Sequence, residues 1–372
     1  MRILYVTTVS STMSFFTSHI NMLLDQGHTV DMASNFDLPI NTDLIARGCT
    51  FFEMEFQRNP LSFQNYSGYK KLKKLIKNND YDLVHTHTPI ASVLVRIACK
   101  NIKKTKVMYT AHGFHFFKGA PLQNWLVYFP IEKWLSKYTD VLLTINSEDY
   151  NRAQKKFKAK KVEYIPGVGL DVERFNNLNL NKEAKRQSLN VPESACVILS
   201  VGELNKNKNH KTIIEAIARL KNVDIYYLIC GQGPLRKDLE KLSVKLCIEK
   251  QVKFLGYRKD IAEICKIADI FAFPSKREGL GMAALEAMAS GLPIVTSNIH
   301  GINDYSLNGK TGYSILPNDI NGFANSINRL YNDNELREQY GKFNINKANQ
   351  YSKDKVLKKM KVIYGGFRFD DQ

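Results

Sequence analysis

Residues 274–295 read PSKREGLGMAALEAMASGLPIV, and this stretch decides the fold. The β-rich run DIFAFPS, ending at Ser275, gives way to a loop carrying Gly279 and Gly281. A helix then starts near Gly281, stops at Gly291, and is followed by the strand PIVTS. Strand, glycine loop, helix and second strand in close succession make a βαβ unit, the building block of a parallel sheet. Outward from it, CVILSVG, IYYLICG and VKFLG read as further strands, with helices following Asn209, Pro234 and Asp260. The same alternation fills the first half: ILYVTT, a helix from about Phe15 to Gln26, HTVDMAS, and a strand near Phe51 to Phe56. DLVHTHT, KVMYTAH, VLLTIN and VEYIP follow. The helix through YKKLKKLI carries Leu72, Leu75 and Ile76 at i, i+3, i+4 spacing.

Two α/β halves are therefore expected, in keeping with a length of 372 residues. From Asn176 to Arg186 the chain turns polar and loses periodicity. The expected division is 1–175 for the first domain, 176–190 for a linker and 191–350 for the second domain. Residues 351–372 are a lysine-rich helix that either caps the second domain or crosses back to the first. Ligands of open α/β sheets bind at the carboxyl ends of the strands, so the chemistry is expected on those loops.

Composition narrows the classes. Hydrophobic residues at 44% and charged residues at 24% are those of a folded globular chain. Six scattered cysteines without a C-x-x-C pair argue against a disulfide framework or a cysteine zinc site and fit a reducing cytoplasm. The N-terminus reads as a strand, lacking the regions of a signal peptide, and no apolar run approaches the length that crosses a bilayer. Fifty-three Lys and Arg against 36 Asp and Glu give +17, pointing to an anionic partner: nucleic acid, an acidic membrane face or a phosphorylated small molecule.

Within the deciding stretch, Glu278 lies in the loop and Glu286 on the helix among small apolar residues. A carboxylate buried there needs a partner, which a pair of ligand hydroxyls would supply. Eight helical positions rise roughly 12 Å, more than the about 5 to 9.5 Å between glycosidase carboxylates. The spacing suits two ends of an elongated ligand, with amides near Gly279, Gly281 and Met282 facing phosphates between them. In LSVGELNKNKNHKTIIEAI a strand ends at Gly202, and Lys206 and Lys208 flank the start of a helix near Asn209, another place for an anion. CGQGPL lacks the third glycine of a dinucleotide fingerprint, and NGKTG lacks the upstream glycine of a P-loop. His85, His87, His112 and His115 show no metal-ligand spacing, while AHG puts His112 at a strand's carboxyl end. Asp80 and Asp82 precede a buried strand and read as turn residues. The aromatic segment 112–138, with Trp125, Trp134, Lys118, Lys133 and Lys137, fits either an ordinary packed helix or one at a membrane interface.

Together these residues resemble family 4 of the retaining nucleotide-sugar glycosyltransferases. The resemblance spans nearly the whole chain: E-x7-E from Glu278 to Glu286 with AMASGLPIV, VGEL with Lys208, CGQGPL, FLGYRKDI and NGKTGY, in order. YDLVHTHTP and YTAHGFHFFKGAP are similar to the branch building bacterial capsular and extracellular polysaccharides on a lipid carrier.

The resemblance implies an α/β GT-B fold, two facing Rossmann-like domains with an interdomain cleft. It implies a hexosyltransferase that moves a sugar, N-acetylated or not, from a UDP-sugar to a lipid-linked glycan, with retention and without metal or other cofactor. Glu286 matches the ribose-binding carboxylate and Glu278 the one holding donor-sugar hydroxyls. Lys208 matches the basic residue at the diphosphate, and His112 the histidine near the reacting sugar. Gly202 falls in the VGEL turn that bears on the donor, Gly281 and Met282 fall where backbone amides meet it, and Tyr257 and Arg258 in the turn at the base. Two positions depart from the pattern: Glu203 stands where the family often has Arg, and Ser10, Ser11 and Thr12 replace a frequent glycine pair. The implied setting is the inner face of the cell membrane, peripherally bound, with no nucleic acid. The alternatives are a basic nucleic-acid or anionic-membrane binding protein, and a nucleotide-sugar epimerase.

Overall fold

The computed structural model describes residues 1–368 and divides into two compact units. One comprises Met1–Gly169 with the segment from Asp354 onward; the other is Leu170–Lys353. The strands of the first are β1 (Arg2–Val9), β2 (Thr29–Asn35), β3 (Thr50–Glu53), β4 (Leu83–Thr86), β5 (Lys106–Ala111), β6 (Val141–Thr144) and β7 (Lys161–Tyr164). They form a parallel sheet in the order β3-β2-β1-β4-β5-β6-β7, with Ile3 beside both Val30 and Leu83. The order reverses at β1 and β4, and the carboxyl ends of β1, β4 and β5 lead to Ser10, His87 and His112. Continuous burial along β1 and β4 explains why these strands read as apolar runs rather than alternating ones.

The second unit contains β8 (Cys196–Val201), β9 (Ile225–Cys230), β10 (Val252–Gly256), β11 (Ile270–Phe273), β12 (Ile294–Ser297) and β13 (Gly312–Ile315), parallel in the order β10-β9-β8-β11-β12-β13. Its core is mainly aliphatic, with Ile198, Ile213, Ile229 and Ile270 completely buried around Tyr227 and Phe323. The expected linker 176–190 needs correction. It contains the helix Lys182–Ser188 and belongs within the second unit, which begins at Leu170. Lys185 pairs with Asp260 at 2.6 Å and also with Glu263, and Arg186 reaches Asp269 at 3.1 Å. Polar composition here marks a helix held by ion pairs with no buried residue of its own.

The helix Lys353–Gly365 returns to the first unit from Asp354 onward. Val356, Met360, Ile363 and Tyr364 form its buried stripe. The Tyr364 hydroxyl lies 2.6 Å from both the Tyr5 hydroxyl and Nδ1 of His85, and the other His85 nitrogen is 2.8 Å from Thr110.

Candidate active site

In the second unit, the loop after β8 and the loop after β11 are sewn together. Asn205 Oδ1 accepts hydrogen bonds from the backbone N–H groups of Asn207 and Lys208, each at 2.9 Å, which curls the first loop. Asn207 donates to the Arg277 carbonyl at 3.0 Å, and its own carbonyl accepts from the Lys276 N–H at 2.8 Å. Asn209, in the left-handed region at φ 58°, donates to the carbonyls of Pro274 and Pro317. Asparagine suits this position because its side chain tolerates that conformation and supplies donors. Residue type alone does not mark Asn205 and Asn209 as site residues; the only signal is the alternation of asparagine in ELNKNKN.

This stitching delivers Lys208 to Glu278. The ammonium Nζ lies 2.5 Å from Oε1, with both side chains largely buried, and 4.9 Å from the centroid of the Phe273 ring. Gly202 lies beneath: a Cβ there would come within 3.2 Å of the Lys208 stem. Gly281 precedes the helix Met282–Ala289 at φ +84°, where a Cβ would meet the Phe273 ring at 2.7 Å and the Tyr305 hydroxyl at 3.0 Å. Gly301 allows a second close approach, since a Cβ on it would stand 1.8 Å from the Gly279 carbonyl oxygen. The glycines thus keep the amides at the start of this helix uncovered beside the ion pair.

Glu286 sits farther along the same helix, half-buried between Leu285 and Ala287. No hydrogen bond reaches its carboxylate among the described residues. Burial pushes its pKa up to about 7, and the positive charge of Arg174 only partly opposes this. It is therefore a carboxyl poised near neutrality and open to hydroxyl donors.

Tyr257 is exposed after β10, and Arg258 holds Asp260 with its guanidinium at 2.8 and 2.5 Å. That pairing, with Lys185 adding a second cation, holds the Asp260 carboxyl down at about 2. Arg258 is thus engaged within the turn, and Tyr257 is its free aromatic face. Glu203 and Lys206 are both exposed. A cavity of 670 Å³ is lined by Lys182, Arg186, Asp269 and Arg337, at the amino ends of β8 and β11. Its arginines are spent on backbone carbonyls and on the side chains of Asp269 and Asn334, and it includes none of the residues just described.

In the first unit, His112 Nε2 lies 3.3 Å from His87 Nδ1, and Phe16 stacks on the His87 ring at 3.8 Å. Burial, with the neighbouring His19, lowers the His112 pKa to about 4, and His85 and His87 fall well below the usual value for the same main reason. These imidazoles are neutral at physiological pH. In the first βα loop Ser10 and Ser11 are spent on Asp37, which accepts both hydroxyls and the Ser11 N–H. Among the described residues, no group of three or more His, Cys, Asp or Glu is placed to hold a metal, and no helix is long and apolar enough to cross a membrane.

Comparison with known proteins agrees in both units. Residues 181–347 match the family model of the glycosyl transferases group 1, and residues 2–146 match that of the glycosyl transferase 4-like proteins. EpsD of Bacillus subtilis (strain 168), which carries a glycosyltransferase name, is 38% identical over 322 residues, covering 85% of this chain and 84% of EpsD. An Escherichia coli protein named UDP-Gal:alpha-D-GlcNAc-diphosphoundecaprenol alpha-1,3-galactosyltransferase is 32% identical over 321 residues, covering 84% and 83%. The Anabaena protein Alr3699/HepE, solved with UDP and glucose, superposes with a TM-score of 0.81 over 98% of this chain and 100% of that one, at 19% identity.

Proposed function

The chain belongs to the group 1 glycosyl transferases, and from that premise we propose a retaining enzyme that moves a sugar from a UDP-sugar to a lipid-linked glycan. It is a nucleotide-sugar-dependent hexosyltransferase of the GT-B fold, family 4. The observation that carries the finer reading is the Lys208–Glu278 pair beside the open helix start, with Glu286 unpartnered on that helix. A nucleoside diphosphate sugar offers a complement to each: ribose hydroxyls for Glu286, a diphosphate for Lys208 and the helix amides, and sugar hydroxyls for Glu278. Gly202, Gly281 and Met282 let the donor approach the backbone, and Tyr257 and Arg258 border the base. The relative from Escherichia coli is named for a UDP-sugar and a diphosphoundecaprenol acceptor, which favours the same pairing here.

The reaction breaks the bond from the anomeric carbon to the diphosphate and forms one to the acceptor oxygen on the same face of the sugar. The electron pair leaves with the diphosphate, and the acceptor proton passes to the departing phosphate oxygen. No enzyme nucleophile or metal is required, because Lys208 and the helix amides stabilise the growing charge. His112, held neutral, donates or accepts a hydrogen bond at the reacting sugar. The setting is capsule or exopolysaccharide assembly, at the inner face of the cell membrane.

The test combines UDP-sugars with lipid-linked acceptors and reads products by mass spectrometry. Transfer from a UDP-sugar, lost in Lys208→Ala by about 10²- to 10³-fold in kcat, supports the reading. Conversion of donor without acceptor indicates an epimerase. Tight, salt-sensitive duplex binding with no donor binding indicates a nucleic-acid protein.

A further inference from the structure

His87 and His112 stand on the connections leaving β4 and β5, and His87 is the more firmly fixed of the two. Its backbone N–H donates to the Val6 carbonyl at 3.2 Å, and the hydroxyl of the next residue, Thr88, accepts the Thr8 N–H at 2.8 Å. The His87 ring is almost completely buried. Phe16 stacks on it at 3.8 Å between ring centroids, His85 lies at 4.0 Å and Tyr5 at 5.1 Å. Among the described residues, the side chain has one hydrogen-bond partner: its Nδ1 is 3.3 Å from Nε2 of His112. Its own Nε2 is buried with no partner.

Two neutral imidazoles that share one hydrogen bond must divide the roles, one nitrogen donating and the other accepting. If His112 Nε2 were the donor, the proton of His87 would sit on Nε2, an N–H sealed in the interior with nothing to receive it. If His87 Nδ1 is the donor, the sealed Nε2 is a bare lone pair. The second arrangement costs less, because an orphaned buried N–H forfeits more than an unused acceptor. The same aromatic nest already contains such a lone pair. His19, beside Phe16, has Nε2 at 3.1 Å from the Val168 carbonyl and must donate to it, which leaves its Nδ1 bare and buried.

We infer that His87 is a positioning residue that holds His112 in the tautomer protonated at Nδ1, so that His112 meets its substrate only as a hydrogen-bond donor. With Nε2 occupied as an acceptor, the nitrogen left on His112 is Nδ1, which has no partner among the described residues and carries the proton. A lone imidazole favours the opposite form, with the proton on Nε2, so the selection comes from His87. The chemical consequence is definite. His112 has no open lone pair with which to take a proton from an acceptor hydroxyl; it donates to an oxygen of the sugar or of the departing phosphate, where growing negative charge strengthens the bond. This deepens the transferase reading and rests on it for the substrate oxygen alone, since the tautomer belongs to the free chain.

Nitrogen-15 NMR of the unliganded full chain, labelled at histidine and held near neutral pH, reads both rings directly. His112 and His87 are assigned by the signals lost in His112→Gln and His87→Leu. The expected spectrum shows each ring protonated at Nδ1 and bare at Nε2. His87→Leu should move the His112 proton to Nε2 and lower kcat by about 100-fold, with KM for the donor changed by less than about twofold. His87→Asn, whose amide N–H stands where Nδ1 stood, should keep the Nδ1 proton on His112 and a kcat within about fivefold of wild type. The rate is UDP release from the UDP-sugar turned over in the mass-spectrometric assay. A wild-type His112 protonated at Nε2 overturns the inference, and that reading needs no variant to fold. So does a His87→Leu enzyme that loses kcat with the His112 proton still on Nδ1, or a folded His87→Asn enzyme as slow as His87→Leu, because His87 would then only fill space. If no UDP-sugar is turned over, the transferase reading falls, while the spectrum of the free chain still decides the tautomer.

Discussion

In the proposed donor-binding role, Glu286 is expected to couple donor affinity to pH. Its carboxyl is raised to about 7 by burial, so below neutrality the free protein carries it mainly protonated. Ribose hydroxyls in that role would donate to the ionised form, so binding is expected to release a proton and affinity to rise with pH until the group is ionised. Between pH 5.5 and 8 the affinity for UDP-glucose, whose diphosphate does not titrate there, is expected to rise about 30-fold. Calorimetry would read this directly; Glu286→Gln should bind more weakly and with a flat profile, and a flat wild-type profile would remove Glu286 from the donor. The two catalytic assignments make a separate prediction. Glu278→Ala and His112→Ala should each lower kcat by about 100-fold or more with the melting temperature kept within a few degrees; full activity in either purified variant would refute its assignment. Since His112 is already neutral, its pKa near 4 should leave no step in the rate at pH 6.5. The places of Glu278 in its loop, Glu286 on the following helix and Lys208 at a helix entry were legible because residue type and spacing fix them. Asn205 and Asn209 were not, because a loop asparagine has the same appearance whether it faces water or ties two loops together.

At the scale of the element, close backbone approach decides what the helix Met282–Ala289 can do. Helix starts were readable from Asn209, Asp260 and Gly281 because capping and left-handed positions restrict residue choice. The meeting of Gly301 with Gly279 was invisible, since it joins residues brought together only by the parallel pairing of β11 and β12. A methyl group at 301 would collide with the Gly279 carbonyl, and backbone cannot step aside as a flexible side chain can. Gly301→Ala is therefore expected to cost about 1–3 kcal/mol in urea unfolding and to weaken UDP-glucose binding by shifting the loop of Glu278. Gly309→Ala, at φ +74° with open space around its Cβ, is the control. It should cost about 1 kcal/mol and leave donor affinity unchanged. Equal donor affinity in both variants would show that the loop absorbs the clash elsewhere. The segment 176–190 shows the complementary case: the helix Lys182–Ser188 buries no residue of its own, so it lacks the apolar stripe by which helices are recognised.

Across the whole molecule, acid stability follows from where histidine is buried. His19, His112 and His210 are lowered to about 4, and His85 and His87 well below 6.5, in each case chiefly by desolvation. On unfolding, all five regain ordinary values, so between about pH 4 and 6.5 the unfolded chain binds protons that the native chain refuses. Their contribution to stability is complete above pH 6.5 and is lost as pH falls through that window. Glu286 acts in the opposite direction, because its folded pKa is raised and the native chain keeps a proton that the unfolded one releases between about 4.5 and 7. Five groups against one leave a net uptake of protons on unfolding near pH 5. Stability should then fall as the pH drops from about 6.5 toward 4. Four of the five histidines belong to the first unit, where the Tyr364 hydroxyl and Thr110 occupy both nitrogens of His85 and leave no place for water. Hydrogen exchange at pH 5 should therefore open the Met1–Gly169 strands before those of Leu170–Lys353, with a melting temperature below that at pH 7. A melting temperature that is flat or rising on acidification, or a second unit that opens first, would mean the imidazoles admit water and protonate in place.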